Sequence, residues 1–188
     1  MEQIWTRLKA WFRVNAPNYL ENLQPGASKA QIQELEEFLG VKFPEDFKAS
    51  YRIYNGEHTC GYGFMYGWDF LSIESIKEDW EWLKEVYDFK NAKDKGEKNL
   101  SSDFVSELDF DDISLWNPQL IPLARSCGAD RDYLDLNPVN EEENIGQVVR
   151  IWPFESRRKI VAPSFKLWLQ GYADDLESGR YLLFEDFD

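Results

Sequence analysis

Three apolar stretches late in the chain, separated by turn-length segments, constrain the fold more than any other feature. They are Leu120-Ile121-Pro122-Leu123-Ala124, the alternating Asp132-Tyr133-Leu134-Asp135-Leu136, and Gln147-Val148-Val149-Arg150-Ile151-Trp152. Asn137-Pro138 and Asn144-Ile145-Gly146 supply turn chemistry between the last two. Strands joined this closely pair antiparallel, because a parallel crossover needs a longer connection.

Helical patterns flank this block. Ile4, Leu8, Trp11 and Phe12 recur at helical spacing until Asn15 and Pro17, after which a loop is expected through Pro25 and Gly26. Ser28 and Gln31 have capping-box spacing ahead of Ile32, Leu35, Phe38 and Leu39, and Gly40 is the stop. Pro44 opens a third helix carrying Phe47, Tyr51 and Tyr54, expected to end at Asn55-Gly56. A fourth starts at Ser72 or Glu74 and runs through Ile76, Trp80, Leu83 and Tyr87. Ser164 opens the last, with Phe165, Trp168, Leu169, Tyr172 and Leu176 on one face and Gly179 behind it. Between the third and fourth helices, Gly61, Gly63 and Gly67 interleave with aromatics, which reads as one or two short strands with turns. The fold class is therefore α+β: an antiparallel or mixed central sheet with helices packed mainly on one face.

At 188 residues, 43% of them hydrophobic, the chain suits one domain with a sizeable core. Residues 90–117, where acids dominate between scattered apolar residues, read as an insertion within it. The net charge of -14 disfavours direct binding of nucleic acid or an anionic membrane and would steer in a basic protein partner. Cys60 and Cys127 have no paired spacing and fit a reducing compartment. The N-terminus lacks a signal-peptide pattern, and no apolar run approaches a membrane span, so a cytoplasmic location is expected.

Catalytic devices find little support. The single histidine, His58, lies two residues from Cys60 in what reads as a loop. Asp130, Asp132 and Asp135 miss the spacing of a calcium loop, and Gly61-x-Gly63 lacks the lysine of a phosphate loop. No catalytic residue, metal ligand or cofactor contact is assigned. Partner binding is the better use of the unusual residues. In the aromatic stretch, Phe64, Trp68 and Phe70 are assigned to the core, and Tyr62 and Tyr66 to an interface. Asp103, Asp109, Asp111 and Asp112 lie beside Phe104 and Phe110, an acid-aromatic mixture suited to a basic surface. Asp130 and Asp132, which lead from a turn into a strand, complete the partner-binding set.

The order of these words resembles the SUKH superfamily, named for fungal Smi and Knr cell-wall regulators. The resemblance rests on Ala27-Ser28 with Ile32, Leu35-Glu36 and Leu39-Gly40, on Phe43-Pro44-Glu45-Asp46-Phe47 with Tyr51, Tyr54 and Asn55-Gly56, and on Phe70 to Ile76. It continues through Ile121-Pro122-Leu123-Ala124, Tyr133 to Leu136, Gly146-Gln147-Val148 and Ala162-Pro163-Ser164-Phe165 with Trp168-Leu169. It covers about residues 27 to 177. The insertion departs from the pattern, and the basic patch Arg157-Arg158-Lys159 has no place in it. The resemblance implies protein binding without catalysis. It suggests an immunity protein that neutralises a cognate toxin with a basic, nuclease-like domain, or alternatively an intracellular regulatory scaffold with no toxin partner. Self-association is left open.

Overall fold

The capping box forms as its spacing requires: the Gln31 N–H donates to Ser28 Oγ and the Ser28 N–H to Gln31 Oε1, at 3.2 and 2.9 Å. In this computed structural model, which describes residues 1–58, 63–94, 115–127, 129–138 and 144–183, that cap opens α3 (Lys29–Leu39), closed by Gly40 in the left-handed region. Helix α1 (Glu2–Asn15) precedes it. The stretch expected to be loop instead holds α2 (Pro17–Glu21) and β1 (Leu23–Pro25). Pro17 pre-sets the first helical φ. The strand exists because of a distant partner, β2 (Tyr54–Glu57), which local periodicity cannot reveal. For the same reason α4 (Glu45–Tyr51) stops before Asn55-Gly56, which lie within β2. A Cβ on Gly56 would sit 2.4 Å from the Ser72 backbone nitrogen, so this glycine permits close packing of two backbones.

The main sheet has the order β3 (Asp69–Phe70), β4 (Leu120–Arg125), β5 (Arg131–Asp135), β6 (Gln147–Trp152), β7 (Arg157–Ala162), every pair antiparallel. The basic patch without a place in the sequence pattern thus becomes β7. Its side chains are largely exposed, so it lacks the apolar alternation of a covered strand. Two helices complete the fold, α5 (Ile73–Asp94) and α6 (Phe165–Ser178). Successive strand residues point to opposite faces. Asp132 meets Trp168 of α6, while Arg131 forms a two-pronged ion pair with Asp79 of α5 at 2.7 and 3.0 Å. Helices α1 and α4 join α6 on the Asp132 side, and α5 lies on the other. The architecture is α+β.

The centre is aromatic. Phe47 stacks on Phe43 and Tyr51, both at 4.3 Å, and meets Phe165 edge-on. Trp5 lies against Phe64 and Phe70, and its indole N–H donates to the buried Ser50 hydroxyl at 2.8 Å. Each such ring, fully buried, contributes about 1.5–3 kcal/mol of apolar transfer. Phe64 and Phe70 are core residues, as expected, whereas Trp68 is half-buried. The margins of the acidic stretch belong to the fold: α5 runs on to Asp94, and Trp116 returns to pack on Trp80 and Tyr87. The Trp116 N–H donates to the Leu120 carbonyl at 3.1 Å, tying that return to the start of β4.

Candidate functional site

A buried carboxylate shapes the segment that carries the first site residues. Glu57 Oε1 accepts the backbone N–H groups of Phe64 and Phe70, at 3.0 and 2.7 Å, and Oε2 accepts from Asn22 at 2.9 Å. Burial pushes this carboxyl above its ordinary pKa, although the two backbone bonds pull the other way. Held at both ends, the chain turns sharply between Gly63 and Gly67. A Cβ on Gly63 would lie 2.5 Å from the Gly67 carbonyl. Tyr66 sits inside that turn at φ 56°, a conformation that disfavours L side chains. Its side chain holds it there: the hydroxyl donates to Asp175 at 2.8 Å and the ring packs on Tyr172 and Tyr181.

Arg150 is the hub. It lies opposite Asp132 in the β5–β6 register, and its Nε and Nη2 donate to that carboxylate at 2.6 and 2.8 Å. The Trp168 indole donates to the same carboxylate at 3.0 Å, and Asp132 is 1% exposed. Burial opposes the Arg150 charge, but the bonds to Asp132 more than offset it, so the guanidinium is held firmly charged. Its Cζ lies 4.1 Å from the centre of the Trp68 ring. Trp152, two residues along β6 and on the same face, has its ring centre 5.8 Å from the Arg150 Cζ, and Arg157 of β7 lies over that ring at 3.9 Å. The result is an alternating ladder, Trp68–Arg150–Trp152–Arg157, in which every member is at least partly open to solvent. Each stacked cation over an aromatic ring is worth about 0.5–2 kcal/mol.

Beside the ladder is a cleft of about 310 Å³. Tyr66, Arg150, Val161, Leu167, Trp168 and Asp175 line it, along with Gly171. Leu167 is 45% exposed at its edge, and Phe154, in the turn between β6 and β7, is 77% exposed. Partly exposed Trp, Tyr and Arg around a small cavity are the side chains that dominate protein recognition.

Three of the expected site residues converge here. Tyr66 forms the wall of the cleft, Asp132 is the internal anchor of Arg150, and Asp130 lies within electrostatic reach of Arg150 and Arg157. Burial raises the Asp130 carboxyl, and neighbouring Glu155 adds to that. Asp132 has both oxygens engaged, so its part in the site is to hold Arg150. Tyr62 and Asp103, Asp109, Asp111 and Asp112 lie outside the described residues, as does Cys60. His58 is exposed, and its backbone N–H donates to Asn22. Asp135 takes Gln147 and Arg158 instead of joining Asp130 and Asp132. Among the described residues no group of three His, Cys, Asp or Glu side chains is placed to hold a metal ion. Sequence reasoning missed Arg150, Trp152 and Arg157. Their signal was present as Arg150-x-Trp152 at a strand end followed by a proline turn and a basic run.

The sequence pattern of the SMI1/KNR4 family (SUKH-1) matches residues 26–171, from the approach to α3 to the middle of α6. The chain belongs to the SMI1/KNR4 family. It is similar to the Neurospora crassa "Glucan synthesis regulatory protein", 24% identical over 97% of this chain and 39% of that protein. It is also similar to the Schizosaccharomyces pombe "Cell wall biosynthesis/cell cycle regulator smi1", 27% identical over 99% of this chain and 38% of that one. A 65-residue stretch is 32% identical to human "F-box only protein 3", covering 35% of this chain and 14% of that protein. The chain thus spans about two-fifths of the length of the fungal relatives it matches. The four ladder residues fall inside the matched span. No helix among the described residues is long and apolar enough to cross a membrane.

Proposed function

We propose that this SMI1/KNR4 domain is a regulatory protein-binding module that works by docking a partner, without catalysis, in the cytoplasm. The ladder of Trp68, Arg150, Trp152 and Arg157 beside the Tyr66 cleft carries this reading. Solvent-facing aromatic and guanidinium groups, preorganised by a buried carboxylate, are suited to recognition at low entropic cost. The names of the fungal relatives, glucan synthesis and cell wall regulators, favour a regulatory role over toxin neutralisation. The toxin-neutralising alternative draws on the acidic balance of the chain.

The test is affinity capture from the source cell with the full chain and with a Trp152→Ala/Arg157→Ala double variant. Both side chains are partly exposed, so the variant should stay folded and melt only a few degrees below wild type, the loss expected from their contacts. A partner set retained by wild type and lost with the variant supports the reading. Identical capture by both proteins would remove this surface as the binding site.

A further inference from the structure

We propose that β7 is a docking edge that takes an extended acidic segment of a partner protein as a sixth strand of the main sheet. This rests on the reading of the adjacent cleft as a protein-binding site and specifies its mode and ligand chemistry. Among the described residues β7 pairs only with β6, so its outer edge carries backbone donors and acceptors with no strand to meet them. Strand addition uses such an edge for affinity and reads alternate side chains for specificity.

The side chains along β7 define the partner. Arg157 stacks on Trp152, Lys159 lies opposite Arg150, and Val161 lines the cleft, so the three share the ladder face. Arg157, Arg158 and Lys159 are consecutive, on a chain whose net charge is -14. The Arg157 link to Glu155 at 3.1 Å joins two groups more than half exposed, a pairing that an incoming carboxylate can replace at little cost. A second copy of this strand would place cations opposite cations, which disfavours self-pairing. An acidic strand would instead meet Arg157 and Lys159 with its carboxylates. Its next same-face residue would reach the cleft beside Val161 and Leu167, whose size and lining suit an aromatic ring. Basic residues on an edge strand also serve simply to prevent aggregation, and the two roles are separable.

The probe is a fluorescein-labelled nonapeptide that alternates glutamate with threonine and carries one central phenylalanine, palindromic so that either strand direction presents the same face. It is titrated against the full chain by fluorescence anisotropy. Expected is saturable binding, about tenfold weaker when lysine replaces glutamate, and weaker as salt is raised. N-methylation of alternate peptide nitrogens, which removes strand pairing and keeps the side chains, should abolish it. Arg157→Glu and Lys159→Glu should each weaken it about tenfold in a protein that stays folded, Arg157→Glu melting a few degrees lower because it gives up the contact with Trp152. No binding at millimolar protein, equal binding of the lysine peptide, or full retention after N-methylation each overturns strand addition. If those results coincide with partner capture that still depends on Trp152, the docking site stands and only the proposed mode falls.

Discussion

At the scale of single residues, the site depends on two carboxylates that are themselves out of reach. Removing the Asp132 carboxylate would leave Arg150 charged and mostly enclosed, with 22% of its side chain exposed. Breaking a buried pair by deleting one partner costs about 3–5 kcal/mol. Because Arg150 retains some water, Asp132→Ala should lower unfolding stability by about 3 kcal/mol, read from urea midpoints. Arg150→Met/Asp132→Leu should recover most of that loss, since the pair is then replaced rather than halved. Glu57 makes a prediction of opposite sense. Its carboxyl is raised by burial above an ordinary value of 4.5, so the folded state binds the proton more tightly than the unfolded chain. That contribution is fully present below the unfolded pKa and is lost as pH rises through the folded one. Glu57→Gln mimics the protonated form in shape. Wild type and variant should therefore match most closely at about pH 4, and wild type should lose ground to the variant as pH rises towards 7. A difference that does not change with pH would show that the Glu57 carboxyl titrates alike in both states. Neither role was legible in sequence. Asp132 read as a partner-binding acid at a strand start because its guanidinium partner is 18 residues away, and Glu57 carries no local signal of its own.

At the scale of elements, local signals succeeded where the stabilising partner is local. Ser28 and Ser164 cap α3 and α6, each hydroxyl accepting an N–H three residues on, and Gly40 and Gly179 end those helices in the left-handed region. Ser28→Ala should cost about 1 kcal/mol, a few degrees in melting temperature by calorimetry. Ser28→Asp should retain nearly all of it, because a carboxylate accepts the same bond and also suits the helix N-terminus. The misread elements share a different cause. β1 and β2 pair residues far apart in the chain, Leu23 with Glu57 and Pro25 with Tyr54, and β7 is a strand because β6 lies beside it through a turn at Pro153–Glu155. In each, few apolar residues alternate, so periodicity has little to detect. The Tyr66 turn is a further case: its shape is dictated by Glu57 reaching the backbone from another strand.

At the scale of the whole molecule, 35 acidic residues stand against 21 basic ones. Acids outnumber bases by 14, so the excess negative charge repels itself across the surface. Raising salt from about 0.01 M to 0.15 M shortens the screening length from about 30 Å to 8 Å. The melting temperature should therefore rise over that range, measured by scanning calorimetry. A fall would mean that attractive pairs outweigh the net repulsion. Against this acidic background a cationic, aromatic strip stands on the β6–β7 side. The α+β class, the antiparallel strand block, the capped helices and the aromatic core all follow from the sequence, because hydrophobic period, capping residues and turn residues act over a few positions. The union of Trp68, Arg150, Trp152 and Arg157, and the open edge of β7 beside them, were decided only by tertiary structure. Register and face are relations between distant segments, and no local pattern along one chain encodes which of its charges will be left facing water together.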